Sequence, residues 1–260
     1  MSSGNLKKVN PTTGLGNLSG VNSEPVTTLV PTVGAIPRPA RSWFGLRPIE
    51  LGMMIGASIA VLLASYRGWW SIGIAEAWGF VTGGICVWLV VREHMWNWPI
   101  GLANNAFFFV LFLHGRLFAD MSLQVVYFGL GVYGWLNWLF GGEHRTVLKI
   151  SRATRTEWFI LLGAIPVCTW AFREILIVVN GAAPFWDSLT TVLSLAAQYL
   201  LCRKRFENWF FWIAADVVYV PLYLSRHLPL TAALYAVFLV MCLTGVRKWK
   251  RSMLKGITPI

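Results

Sequence analysis

Charge is scarce in this chain of 260 residues: Asp, Glu, Lys and Arg together make up 13%, against about 25% in an ordinary soluble domain. So few charged side chains cannot clothe a surface that faces water. Paired cysteines are lacking as well. Cys86, Cys168, Cys202 and Cys242 stand singly in or at the end of apolar runs, with no C-x-x-C, which excludes a disulfide-stapled module and leaves them as small packing residues. Catalytic constellations are also missing. No H-E-x-x-H, G-x-S-x-G or Walker loop occurs, and His94, His114, His144 and His227 are scattered over loops and helix ends, so no enzyme, cofactor or metal site is expected. What the chain does have is apolar bulk, with 56% hydrophobic residues, 15 Trp and 16 Phe. That excludes a disordered or collagen-like chain and points to the bilayer as its solvent.

Residues 1–42 are rich in Gly, Ser, Thr, Asn and Pro without apolar periodicity and read as a disordered tail. They lack the basic, apolar and small-residue regions of a secretory signal. From Trp43 onward eight apolar stretches have the length of a membrane span, about 20 residues: 49–66, 72–91, 97–113, 119–140, 158–179, 185–202, 208–225 and 230–246. Pro166 interrupts the fifth, and Arg173 and Glu174 sit inside it. Eight spans put both termini on one side. The 22 Lys and Arg then sort as 18 on that side and four on the other, namely Arg67, Arg116, Arg173 and Arg226. By the positive-inside rule the richer side, with both termini, is cytoplasmic. The net charge of +11 would suggest nucleic acid on a soluble protein. Here it is spread beside membrane helices as an orientation signal, and nucleic acid is not expected as a partner.

Arg92-Glu93-His94-Met95-Trp96-Asn97-Trp98 aligns with Arg203-Lys204-Arg205-Phe206-Glu207-Asn208-Trp209 at an offset of 111 residues. The same ungapped offset pairs Gly134 with Gly245 and Trp138 with Trp249, matches that apolar composition alone does not produce. The repeat covers spans two to four and six to eight, with span five as linker, so both copies enter the membrane in the same direction. Parallel repeats of this kind mark transporters, with the substrate site between the halves near the midplane. The expected fold is an all-α membrane protein of eight transmembrane helices, a 3+1+3 core of two parallel three-helix repeats plus one extra N-terminal helix. The expected divisions are the tail 1–42, the extra helix 43–70, the first repeat 71–142, a linker with helix five 143–182, the second repeat 183–249 and a cytoplasmic tail 250–260.

Polar groups at membrane depth must be satisfied by protein, water or ligand. Span six carries Asp187, Thr191, Ser194 and Gln198 on one helical face, and span seven repeats the spacing with Trp212, Asp216, Tyr219 and Tyr223. Span four offers Gln124, Tyr127 and Gly131 with Trp135 beside them, and span three offers Asn104 and Asn105, the latter the repeat mate of Asp216. These stripes predict a central polar and aromatic cavity. Asp216 stands out because it lies mid-span without an obvious intramembrane cation, where insertion costs ~2.5–3.5 kcal/mol. It should meet water, a proton or a cationic ligand. Asp187 and its mate Glu76 lie near span ends and can face water there. Trp69, Trp70, Trp96, Trp98 and Trp209 read as residues of the interface belt.

Several of these residues carry a family resemblance. Glu76-Ala77-x-Gly79, Asn97 with Gly101 and Asn104, Leu123-Gln124-Val125 and Tyr133-Gly134-Trp135-x-x-Trp138 form its first half. Phe185-Trp186-Asp187-Ser188, Arg203-Lys204-x-x-Glu207-Asn208-Trp209-x-x-Trp212 and Asp216 form its second. From about residue 75 to 249 the chain resembles the bacterial PnuC nicotinamide riboside transporters, and its 3+1+3 plan is similar to that of the SWEET and PQ-loop superfamily. The resemblance implies uptake of nicotinamide riboside, a vitamin B3 form and NAD precursor. Uptake would cross the bacterial inner membrane by facilitated diffusion with alternating access, and a cytoplasmic riboside kinase would trap the product. It leaves a homo-oligomer open. A pyridinium ring is a flat cation that favours Trp and Tyr faces. On that reading Trp212 and Tyr219 line the ring site, while Asn104, Asn105, Gln124 and Gln198 hold ribose or amide groups. Asp216 and Asp187 supply negative field, and Tyr127, Trp135, Trp186, Thr191 and Ser194 complete the expected substrate-binding set. The alternatives are a SWEET-like sugar facilitator and a PQ-loop type receptor that binds without transporting.

Overall fold

A computed structural model describes residues 48–68, 73–116, 118–180 and 183–257. Its helices are α1 Pro48–Tyr66, α2 Ile74–Val91, α3 Asn97–His114, α4 Phe118–Phe140, α5 Arg155–Val178, α6 Pro184–Cys202, α7 Asn208–Ser225 and α8 Pro229–Ile257. The tail 1–42, Trp69, Trp70 and the side chain of Glu76 lie outside the described residues.

Local chemistry explains where these helices start and stop. Thr154 and Glu157 form a capping box that opens α5: Glu157 N donates to Thr154 Oγ1 at 3.2 Å, and Thr154 N donates to Glu157 Oε2 at 2.6 Å. Pro184 opens α6, where a missing N–H costs nothing. Pro166 does not break α5, which continues through it to Val178. α8 continues past the apolar stretch ending at 246 and past the expected tail boundary at 250. Arg247, Lys248, Lys250 and Arg251 are good helix formers.

α2 packs on α3 and α8, α4 on α3 and α6, α7 on α6 and α8, α5 on α6, and α1 on α2. α3 and α7 begin and end 111 residues apart, and α4 and α8 begin 111 apart. The turns after the helices share the interval, since left-handed Glu93 (φ 56) corresponds to Lys204 (φ 50), and Arg116 (φ 56) to His227 (φ 57). Trp98 lies over Gly134 where a Cβ would overlap its ring, and Trp209 lies over Gly245 in the same way. Neither Trp98 nor Trp209 belongs to an interface belt, because both are buried. With Trp138 and Trp249 they form a four-indole cluster, Trp98 edge-on to Trp138 and Trp209 edge-on to Trp249, each at 5.4 Å.

Two indole hydrogen bonds cross between the helix groups at this end of the bundle. Trp138 Nε1 on α4 donates to the Leu201 carbonyl of α6 at 2.8 Å, and Trp249 Nε1 on α8 donates to the Val90 carbonyl of α2 at 3.0 Å. An extended segment before α5 lies across the same end. Leu148 N donates to the Trp138 carbonyl, Ser151 N to the Lys204 carbonyl and Phe206 N to the Ser151 carbonyl. Glu157 and Glu207, both buried, hold the adjoining Arg203, Arg205 and Arg152.

Outward faces are apolar. Phe159, Ile160, Leu162, Val167 and Trp170 of α5 and Ile55, Ile59 and Leu63 of α1 are exposed, a surface that water does not tolerate at this extent. By length and composition alone, Arg155–Val178 and Thr231–Leu254 suffice to cross a bilayer. The remaining helices are shorter or carry the polar positions that build the cavity.

Candidate functional site

Between the α2–α4 and α6–α8 groups lies a cavity of about 470 Å³. α3 contributes Asn104, Asn105 and Phe108, α4 Gln124 and Tyr127, α6 Ser194 and Gln198, α7 Trp212, Asp216 and Tyr219, and α8 Tyr235, Phe238 and Cys242. Helical spacing explains the convergence. Ser194 with Gln198, and Trp212 with Asp216 and Tyr219, recur every three or four residues and so present one face each.

Asp216 is 4% exposed. The Cys242 thiol donates to its Oδ2 at 3.6 Å, and among the described residues no Lys, Arg or His lines the cavity. Such a carboxylate is an electrostatic attractor inside an apolar wall, and a ligand cation can neutralise it without a competing protein cation. Aromatic faces adjoin it. Tyr219 and Tyr235 lie 4.4 Å apart, and Tyr223 continues the stack at 5.2 Å from Tyr235. Four polar atoms on cavity-lining residues, Asn97 Oδ1, Asn104 Oδ1, Trp98 Nε1 and Trp209 Nε1, are buried without a hydrogen-bond partner among the described residues.

Nine of the sequence-derived positions line the cavity: Asn104, Asn105, Gln124, Tyr127, Ser194, Gln198, Trp212, Asp216 and Tyr219. Trp135, Trp186, Asp187 and Thr191 do not. Trp135 packs against the buried core cluster that contains the four indoles, and Trp186 is half exposed beside Phe185. Asp187 is held by Arg226 Nη2 at 3.1 and 3.3 Å, and the Thr191 hydroxyl donates to the Asp187 carbonyl at 2.7 Å. The α6 stripe from 187 to 198 is about 16 Å long at 1.5 Å per residue, and the cavity meets only its later half.

The α8 contribution was invisible as a polar stripe, because Tyr235, Phe238 and Cys242 sit among apolar neighbours. The 111-residue offset finds all three. Gln124 maps to Tyr235, Tyr127 to Phe238 and Gly131 to Cys242, just as Asn105 maps to Asp216, Phe108 to Tyr219 and Trp98 to Trp209, and every one of these residues lines the cavity.

The chain's relatives agree with this architecture. The sequence model of the nicotinamide mononucleotide transporter family matches residues 73–251. The nicotinamide riboside transporter PnuC of Escherichia coli is 26% identical over 226 residues, covering 75% of this chain and 92% of the relative. The riboflavin/roseoflavin transporter RibM of Streptomyces davaonensis is 27% identical over 175 residues, covering 66% and 82%. A crystal structure of the vitamin B3 transporter PnuC superposes with a TM-score of 0.60 at 23% identity, covering 80% of this chain and 91% of that one, so the fold is shared. With most of its length matched, the chain belongs to the nicotinamide mononucleotide transporter family and is a transporter, not an enzyme.

Proposed function

We propose that this protein carries nicotinamide riboside across the bacterial plasma membrane by facilitated diffusion, binding it in the cavity around Asp216. The observation that carries the reading is a buried carboxylate in a cavity that no Lys, Arg or His among the described residues lines, walled by Trp212, Tyr219 and Tyr235. A flat pyridinium cation suits that site. It stacks on aromatic faces for ~0.5–2 kcal/mol and neutralises the carboxylate. Asn104, Asn105, Gln124 and Gln198 then hold ribose hydroxyls and the carboxamide, with Tyr127 and Ser194 beside them. Because Asp187 is already paired with Arg226, the negative field falls to Asp216. The riboflavin ring system of the RibM relative is uncharged and has no use for this carboxylate.

The architecture proposed for this activity is eight membrane spans, with α2–α4 and α6–α8 as parallel repeats, α5 as linker, α1 outside, and both termini cytoplasmic. In that frame the four-indole cluster and the Leu148–Ser151 segment close the cytoplasmic end. Alternating access requires the two crossing indole bonds to break, and phosphorylation by a cytoplasmic kinase then retains the riboside. Calorimetric titration tests the site. Nicotinamide riboside should bind, ribose, sucrose and riboflavin should not, and Asp216→Asn should weaken the riboside alone. Equal binding of sucrose by the unaltered chain and by Asp216→Asn would instead favour a sugar facilitator.

A further inference from the structure

A second cavity, of about 340 Å³, lies away from the carrier site and shares no lining residue with it. Its walls come from Met54 and Val61 of α1, Ile85 and Trp88 of α2, and Leu234 and Met241 of α8. Ser58 supplies the hydroxyl in its wall, and that hydroxyl is already spent on the Met54 carbonyl at 2.7 Å. The groove therefore offers hydrocarbon contact and little else, which suits neither riboside nor water. One end is different in chemistry. The Arg92 guanidinium sits 5.3 Å over the Trp88 ring. The Trp249 bond to the Val90 carbonyl draws the basic turn of α8 to the same end, where Arg247, Lys250 and Arg251 are exposed. α1, which forms one wall, precedes the residues matched by the family.

We propose that this groove holds an acyl chain of an anionic phospholipid, with the phosphate at Arg92 and the basic turn of α8. The inference rests on the membrane reading of the chain, but on neither the substrate nor the orientation proposed above. Packing alone gives little preference over bulk lipid, since tails are as apolar as the groove. Selectivity should come from the headgroup.

The test uses the purified full chain, stripped of lipid and titrated with dioleoyl phosphatidylglycerol or dioleoyl phosphatidylcholine, with bound lipid read by native mass spectrometry. Phosphatidylglycerol should be retained over phosphatidylcholine by about fivefold or more, the factor one basic residue contributes near a lipid surface. Arg92→Gln should lower that ratio, and Ala233→Phe, which fills the groove, should remove the retained lipid of either kind while riboside binding persists. Equal retention of the two lipids by the unaltered chain would overturn the proposal even if a variant fails to fold. So would Ala233→Phe changing particle mass by whole subunits with lipid untouched, which would give the groove to a second copy. Loss of riboside binding in the unaltered chain would count against the carrier reading and leave the lipid result standing.

Discussion

Trp138 and Trp249 perform the same act in opposite directions: each indole N–H crosses to the other three-helix group, and donor and acceptor both shift by 111 residues between Trp138 with Leu201 and Trp249 with Val90. The two bonds are thus related by exchange of the halves. Both carbonyls keep a turn bond, from Lys204 N and Glu93 N respectively, so neither is orphaned when the indole donor is lost. Trp138→Phe and Trp249→Phe should each cost about 1–3 kcal/mol, the lost hydrogen bond plus the void left by the smaller ring, by similar amounts, in thermal unfolding in detergent. Alanine at either position also empties a fully buried site and should cost about 3–5 kcal/mol.

Glu93 and Lys204 are mates in the same exchange and form an ion pair at 3.0 Å. Lys204, 5% exposed, also donates to the Leu148 carbonyl at 3.0 Å and lies 4.6 Å over the Trp138 ring. Glu93→Gln should destabilise strongly by leaving a buried ammonium without its counter-charge. Adding Lys204→Met should recover part of the loss, with a coupling of about 1–3 kcal/mol in a double-mutant cycle.

Glycine positions separate close packing from open space. Gly134→Ala and Gly245→Ala force a methyl into the Trp98 and Trp209 rings and should each cost about 1–3 kcal/mol. Gly129→Ala, on the same helix as Gly134 but with no atom of the described residues beyond its own stretch of helix within 4 Å of the added carbon, should stabilise by about 0.5–1 kcal/mol through helix propensity. Melting temperatures of the three variants check the ordering.

Asp216→Asn keeps the shape of the side chain and removes its charge. Riboside affinity should fall about tenfold or more, consistent with the ~1.5–3 kcal/mol of a hydrogen bond to a charged group, while thermal stability holds or rises because an unpaired buried charge is gone. Trp212→Ala should weaken binding as well, through the lost ring face, and isothermal titration separates the two effects by the response of a neutral analogue.

Helix positions were legible because each apolar run ends in charge, proline or a polar turn; α7 was read at its observed bounds, 208 to 225. Asp216 was legible because an acid amid Ala215 and Val217 has no local partner. The pairing of Asp187 with Arg226, 39 residues away, is tertiary and leaves no trace in spacing. The same holds for the bridge between Ser151 and Arg205, made by two loop segments without a strand pattern. Trp98 and Trp209 were misread because tryptophan near a helix end suits a lipid interface as well as a core, and only Gly134 and Gly245 opposite them decide the matter.

Flux of isotope-labelled nicotinamide riboside into proteoliposomes decides whether this protein is a riboside carrier. Entry should be saturable without ATP, accelerated by riboside preloaded on the far side, inhibited by excess unlabelled riboside but not by sucrose, and of lower affinity in Asp216→Asn. Entry no faster than into protein-free liposomes, with the protein folded and inserted, would contradict that role.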